Sequence, residues 1–404
     1  MPQLVPPPGP LRLMATATLV NTFGNGLFMT SAALFYTRML HLTPHQVGLG
    51  LTLAGVVALL SGVPAGHLAD LRGAREVLML LYAAQAAAMA SLPFVDGYAQ
   101  FLAAVTAWTV IDRAGNAVRQ GLIAGVFPPE ERVAGRAYLR AVTNLGISFG
   151  SVLAGVAIAI DNRPAYTALL LGDAATYLLA GAVIRRLPVS ARRPRAEGES
   201  MLLALRDRPF VAVTLLSGVM ALQYSVLDVA VPLWVDGYTD APRWTVALLF
   251  LENTIACVLF QVRASRSAVD VESSARANLR GAVLIAVSCV AFALSSHRGA
   301  GAAVVVLVVA AGVHVSGELF QAAGSWGLGF GLSPESAQGQ YQGLYSTGFA
   351  ASGMLAPLVI TSTVIGWGRP GWYLLAGVFV AAGLALVPVS RWAARARIGH
   401  PLTA

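Results

Sequence analysis

Several ionisable and amide residues of this chain stand inside long apolar stretches. There they need a partner, a wet cavity or a change of protonation state. His314 and Glu318 lie four positions apart, which puts them on one face of a helix. An imidazole and a carboxyl confined together can pass a proton near neutral pH. The alternative is a hydrogen-bonded pair that only ties helices together. Asp112, Asn116 and Arg119 are spaced i, i+4, i+7 and share one helical stripe, while Arg113 points about 100° away. The two Arg residues can hold nearby carboxylates ionised until a proton arrives, or they can be structural ion pairs that fix helix packing. Asp228 follows Tyr224 by one turn, with Gln223 alongside, Glu252 precedes Asn253, and Asn21 and Asn25 are four apart. The proton-coupling candidates are therefore Asp112, Arg113, Arg119, Asp228, Glu252, His314 and Glu318. The candidates for contact with a bound solute are Asn21, Asn25, Phe28, Trp108, Asn116, Gln223 and Tyr224, with Phe23 as a further aromatic.

Other chemistries are poorly served. All 27 basic residues are Arg, which excludes a Walker A phosphate loop, a Schiff-base lysine and a kinase-type ATP lysine. We find no HExxH, no Cys/His metal cluster and no G-x-S-x-G on a plausible elbow. Cys257 and Cys289 both fall in apolar runs and read as packing residues. The expectation is a protein that is not an enzyme and takes no cofactor and no metal.

The elements that must position these residues are membrane helices. The 404 residues are 56% hydrophobic and only 11% charged, with a mean hydropathy of +0.68, against roughly 25% charged for a soluble chain. Apolar runs fall near 13–36, 47–67, 75–95, 100–127, 138–160 and 165–184, then near 210–234, 244–263, 279–296, 302–327, 341–365 and 371–390. Each suits a spanning helix of about 20 residues. The alternation of a membrane barrel is missing. Trp234, Trp244, Trp326, Trp367, Trp372 and Trp392 fall at run ends, as an aromatic belt would place them, whereas Trp108 lies inside a run. With the N-terminus in the cytoplasm, only Arg38, Arg163, Arg243, Arg298 and Arg369 face the other side, and only Arg113 and Arg119 lie within a span. The remaining Arg residues are cytoplasmic, as the positive-inside rule requires. The net charge of +8 is then mostly topological, and no nucleic-acid partner is expected. The first run lacks a convincing cleavage site and reads as retained.

The longest polar segment, 185–209, separates six runs from six. The expected organisation is a six-helix half over 1–184, a cytoplasmic linker over 185–209 and a second half over 210–404. A faint repeat supports it. Pro129-Glu130 with Gly135, Tyr138, Gly146 and Gly150 is echoed by Pro334-Glu335 with Gly339, Tyr341 and Gly353, with Phe349 where Gly146 would fall. Two parallel six-helix repeats with a site between them are a transporter architecture.

The loop between the second and third runs reads Gly66-His67-Leu68-Ala69-Asp70-Leu71-Arg72-Gly73-Ala74-Arg75-Glu76-Val77-Leu78. It resembles the signature loop of the major facilitator superfamily, G-x-L-a-D-r-x-G-r-[RK]-x-x-l, departing from it at Leu71 and Ala74. The resemblance implies a cytoplasmic gate built on Gly66, Asp70, Arg72, Gly73 and Arg75. Physically, Asp70 would be stabilised at a helix N-terminus of the other half, and Arg75 could pair with Asp70, Glu130 or Glu131. A short solvated turn is the alternative. In the fifth run, Gly146, Gly150 and Gly155 resemble a degraded antiporter motif in which Ser151 replaces Pro and Ala154 replaces Gly. Small residues at this spacing also pack any two membrane helices. The family often has an Arg in the fourth helix, and Arg113 lies at about that position, although Asn116-Ala117 departs from the motif around it.

The resemblance implies an all-α integral membrane fold of 12 transmembrane helices in two pseudo-symmetric halves, with both termini cytoplasmic. In the family the first, fourth, seventh and tenth helices line the cavity. They carry Asp112, Asp228 and Glu318 here, while Asp173 on the sixth reads as structural or interfacial. The implied function is a multi-pass transporter of the cell membrane, similar to bacterial drug/proton antiporter-type exporters. It would use the proton gradient to export a small organic molecule by alternating access, and a monomer would suffice. The first run has Asn21 and Asn25 where many such exporters have an acid, so coupling must run through the other acids. An importer or facilitator of a polar solute is the alternative.

Overall fold

The computed structural model describes residue 6, residues 8–188 and residues 203–399. Helix makes up 88% of it, and there are no strands among the described residues. The first helices are α1 (Pro10–Leu34), α2 (Pro44–Ala58), α3 (Gly62–Arg72), α4 (Ala74–Ser91), α5 (Tyr98–Val126), α6 (Pro129–Ile160) and α7 (Arg163–Ile184). After the one-turn α8 (Leu203–Arg206) come α9 (Arg208–Ala221), α10 (Val231–Tyr238), α11 (Trp244–Ser265), α12 (Val271–Ala293), α13 (Ala300–Gly331), α14 (Gln338–Ile360) and α15 (Arg369–Gly399). The segment between α7 and α8 was expected to be a linker over 185–209, and its residues 189–202 lie outside the described residues.

The ends are set by local chemistry. Proline, whose missing N–H costs nothing there, occupies the first turn of α1, α2, α6, α7 and α9. Thr43 and Gln46 form a capping box on α2, and Asp270 and Ser273 do so on α12. Asn162 and Asp207 cap α7 and α9. Gly73 sits between α3 and α4 at φ 99°, a left-handed turn that suits glycine.

Among the described residues nine helices are long and apolar enough to cross a membrane, or ten if the pair α2 and α3, bent by 45°, is one span. Helices α1 and α5, of 25 and 29 residues, have the length but fall outside that set. Helix α5 carries Asp112, Arg113 and Arg119, which dilute its apolar character. Large apolar side chains are exposed along the helices, among them Val152, Val156, Leu251 and Leu259. Such a surface is costly in water and natural against lipid.

The chain divides into two compact units. One comprises Met1–Glu131, Tyr138–Leu202 and Pro334–Thr347, the other Arg132–Ala137, Leu203–Ser333 and Gly348–Ala404. In the first, Leu27, Ala154, Ala157 and Leu169 form an apolar cluster with Phe23 packed on it. In the second, Cys257, Val315 and Leu319 form another. Both cysteines are buried and unbridged.

The aromatic belt is only partly realised. Trp244, Trp367 and Trp392 are exposed, but Trp234 and Trp372 are fully buried. Their rings pack edge to face at 5.8 Å, and the Trp234 indole donates to the Phe292 carbonyl and the Ser295 hydroxyl. Position at a run end does not distinguish an indole facing lipid from one satisfied inside the unit.

Candidate functional site

In the second unit the polar residues gather around α13. Glu318 is buried, and the Asn253 amide donates to its Oε2 at 2.8 Å. His314, one turn earlier on α13, is fully buried. Its Nδ1 lies 3.1 Å from the Ser288 hydroxyl, and its Nε2 makes no hydrogen bond. The Glu318 charge acts on both His314 and Asp228, so these three form one electrostatic group.

The local fold explains how Asp228 comes there. The α-helical ladder that starts at Arg208 stops at Ala221 and resumes at Val231, with a π-turn over Val226–Ala230 between them. Asp228 is exposed within that turn, a helix defect that frequently marks functional sites. Gln223 and Tyr224 occupy the same break. Gln223 is fully buried with neither amide atom hydrogen-bonded, and the Tyr224 hydroxyl donates to Gln321 Oε1 at 3.4 Å.

Glu252 and Asn253 are adjacent but serve different surroundings. Asn253 reaches Glu318, whereas Glu252 lines a cavity of about 920 Å³ between α11 and α13, otherwise walled by Leu251, Ile255, Phe260, Leu319 and Phe320 among others. A Cβ on Gly312 would lie 2.9 Å from Glu252 Oε1, so α13 leaves room for the carboxyl.

In the first unit Asp112 accepts from Gln85 at 3.2 Å and from Asn116 at 3.1 Å. Arg113 and Arg119 both act on its charge, yet neither makes a salt bridge to it. The stripe of Asp112, Asn116 and Arg119 is partly buried, and Arg113 is exposed. The Arg119 Nε is buried and unbonded. Asn25 accepts from the Tyr177 hydroxyl at 3.1 Å, and both side-chain polar atoms of Asn21 are buried without a hydrogen bond. Phe28 and Trp108 pack edge to face at 4.8 Å. The sequence pattern did not single out Gln85, Ser288 or Gln321. Asp173, read as structural or interfacial, is fully buried against α1. The stripe Asp173, Thr176 and Tyr177, polar positions on one face of an apolar helix, was the available signal.

The loop that carries the signature pattern is also in the first unit. Asp70 Oδ1 accepts from the Gly339 N–H at 2.8 Å and Oδ2 from the Gln340 N–H at 2.9 Å. These are first-turn donors of α14, where a carboxylate satisfies unpaired N–H groups and meets the positive end of the helix dipole. A Cβ on Gly66 would overlap the Gly339 carbonyl, so the approach requires glycine. Arg72 is exposed. Arg75 departs from expectation: it pairs with neighbouring Glu76 at 2.8 Å and donates to the Leu187 carbonyl at 2.7 Å. Both Asp70 oxygens are already occupied by backbone donors, and Glu76 is the nearer carboxylate along the chain. Farther on, Gly146 and Gly150 of α6 have no room for a Cβ against Thr22 and Phe23 of α1, while Gly155 faces open space.

An all-helical fold with apolar outer faces and a few buried polar clusters is the class of an integral membrane transporter. The sequence profile of the Major Facilitator Superfamily matches residues 14–357, and the chain belongs to that superfamily. Solved structures share the fold. A bacterial homologue of the iron transporter ferroportin, in an outward-facing state, has a TM-score of 0.76 at 14% identity, covering 95% of this chain and 99% of its own. The human organic anion transporter TETRAN has a TM-score of 0.73 at 14% identity, covering 93% and 98%. The E. coli fucose:proton symporter has a TM-score of 0.68 at 14% identity, covering 95% and 98%. No curated sequence matches the chain.

Proposed function

We propose that this transporter exports a small organic molecule, a drug or natural product, in exchange for protons, by alternating access. In this reading twelve spans cross the cell membrane with both termini in the cytoplasm, the latter as the Arg distribution favours. A monomer suffices, and the proton gradient is the energy source.

The observation that carries the proposal is the Glu318 group. A buried carboxyl on an apolar helix receives a neutral amide donor from Asn253 and shares its field with His314 and Asp228. A proton arriving there changes the net charge of a group that has little water to buffer it. Glu318 and Asp228 are the proposed carriers. Asp70 on the α14 N-terminus is the proposed latch, since its two bonds hold only while that carboxylate meets those N–H groups. Arg113 and Arg119 favour the charged form of Asp112 against the cost of its burial.

A second reading, import of a polar solute, draws on the unbonded amides of Asn21 and Gln223, which have hydrogen-bonding capacity to offer. Everted vesicles carrying an acridine-dye reporter of the proton gradient separate the two. Export predicts that drug-like compounds from a test panel release protons from the energised lumen. If sugars or other polar solutes move protons and drug-like compounds do not, export is wrong.

A further inference from the structure

Asp173 takes no part in the proposed proton path, yet among the described residues it is the buried carboxyl of the first unit. It is 0% exposed, and its Oδ2 has no hydrogen-bond partner. Its Oδ1 receives only a 3.3 Å contact from Thr176, whose hydroxyl makes a 2.7 Å bond to the Asp173 carbonyl. Gly24 on α1 lies directly beneath: a Cβ there would overlap both Asp173 Oδ1 and Thr176 Oγ1. Asn21, one turn before Gly24 on the same face, is 1% exposed with its amide oxygen and nitrogen both unbonded.

We propose that Asp173, buried against Gly24 of α1 and Thr176 of its own helix, is a proton-binding site. Three points converge on a proton. An ionised carboxylate in a bilayer interior costs at least about 2.5–3.5 kcal/mol without compensation. No cation compensates Asp173: Arg113 and Arg119 act on Asp112, and Arg119 on Tyr177, but among charged groups only Asp112 acts on Asp173. Asp112 is itself an acid, and two carboxylates that share a site resist ionising together. The other titratable groups at the junction are Tyr177 on α7 and Tyr82 of α4, whose ring packs against Tyr177 at 6.1 Å. Helix α1 contributes none. A proton held on Asp173 would give the first unit a proton store separate from the Glu318 group.

This inference deepens the proton-coupled reading, but its test needs no transported molecule. Purified full-length protein in lipid nanodiscs is titrated with acid and base, and infrared difference spectra are recorded in light and heavy water. The expected result is a carbonyl-stretch band of a buried carboxylic acid at neutral pH. It should shift when the protein contains isotope-labelled aspartate and be lost in Asp173→Asn, while Asp112→Asn keeps it. Asp173→Glu should retain a band, moved in frequency. The wild-type protein alone can overturn the proposal: no aspartic-acid band at neutral pH, or one that responds to sodium and not to pH, contradicts it. An unchanged band in folded Asp173→Asn does so as well. Proton release in vesicles that depends on Glu318 would survive any of these outcomes, so failure here is distinguishable from failure of the export reading.

Discussion

Glu318 illustrates what residue spacing reveals and what it hides. Its pairing with His314 on one face of α13 was legible from a four-residue interval in an apolar run. Its hydrogen bond to Asn253 was not, because Glu252 and Asn253 are neighbours in sequence and only packing decides which one turns toward α13. For the same reason the sequence did not show that Asp173 lies against α1, since an isolated sequence does not say which helix packs on α7. If Glu318 carries the proton, Glu318→Gln keeps the shape and the amide contact but removes the titrating group. Substrate-linked proton flux should fall by about 10²-fold, the usual loss when a positioned proton carrier is deleted, with helical content unchanged by circular dichroism. Asp70 is tested at the same scale. Asp70→Ala leaves the Gly339 and Gln340 N–H groups without their acceptor, at a cost of about 1–3 kcal/mol, measured as faster proteolysis near α14. Asp70→Asn should lose less, since one acceptor oxygen remains.

At the scale of elements, the apolar runs located the helices well. The third run, near 75–95, is observed as Ala74–Phe94, and the eighth, near 244–263, as Trp244–Ser265. Hydropathy missed the start of α6, which begins at Pro129 and not near 138 because its polar first turns are still helical. It also missed the π-turn at Asp228, whose cause lies in backbone packing. The glycine motif of α6 makes a contrast that separates packing from composition. Gly150→Ala forces a Cβ into the α1 backbone and should destabilise by about 1–3 kcal/mol, whereas Gly155→Ala should be neutral or slightly stabilising. Thermal unfolding in detergent, followed by tryptophan fluorescence, compares them. The α12 cap gives a pH prediction. Asp270 accepts from the Ser273 N–H at 2.7 Å and from its hydroxyl, and these bonds hold its carboxyl below the usual carboxylate range. A carboxyl lowered on folding contributes stability above its unfolded pKa and loses it as pH falls through the lowered folded value. Asp270→Ala should therefore cost about 1 kcal/mol at neutral pH and the difference should shrink in acid. A gap that persists at low pH would mean the cap is not what stabilises the end of α12.

For the whole molecule, the superfamily was legible from one loop, because Gly66, Asp70 and Gly73 are each fixed by a physical demand: close approach, a helix N-terminus and a left-handed turn. The direction of transport left no such mark, since the same fold serves the fucose:proton symporter. Placing the basic residues on the cytoplasmic side predicts that tags at both termini are digested by protease in everted vesicles and protected in intact cells. The central claim, proton exchange through the Glu318 group, is tested most directly in proteoliposomes with an imposed pH gradient. Proton movement triggered by the compound panel is measured for wild type, Glu318→Gln and Asp228→Asn. Wild type should show compound-triggered proton release, Glu318→Gln should lose it, and Asp228→Asn should show less. Equal proton release in all three proteins would contradict it.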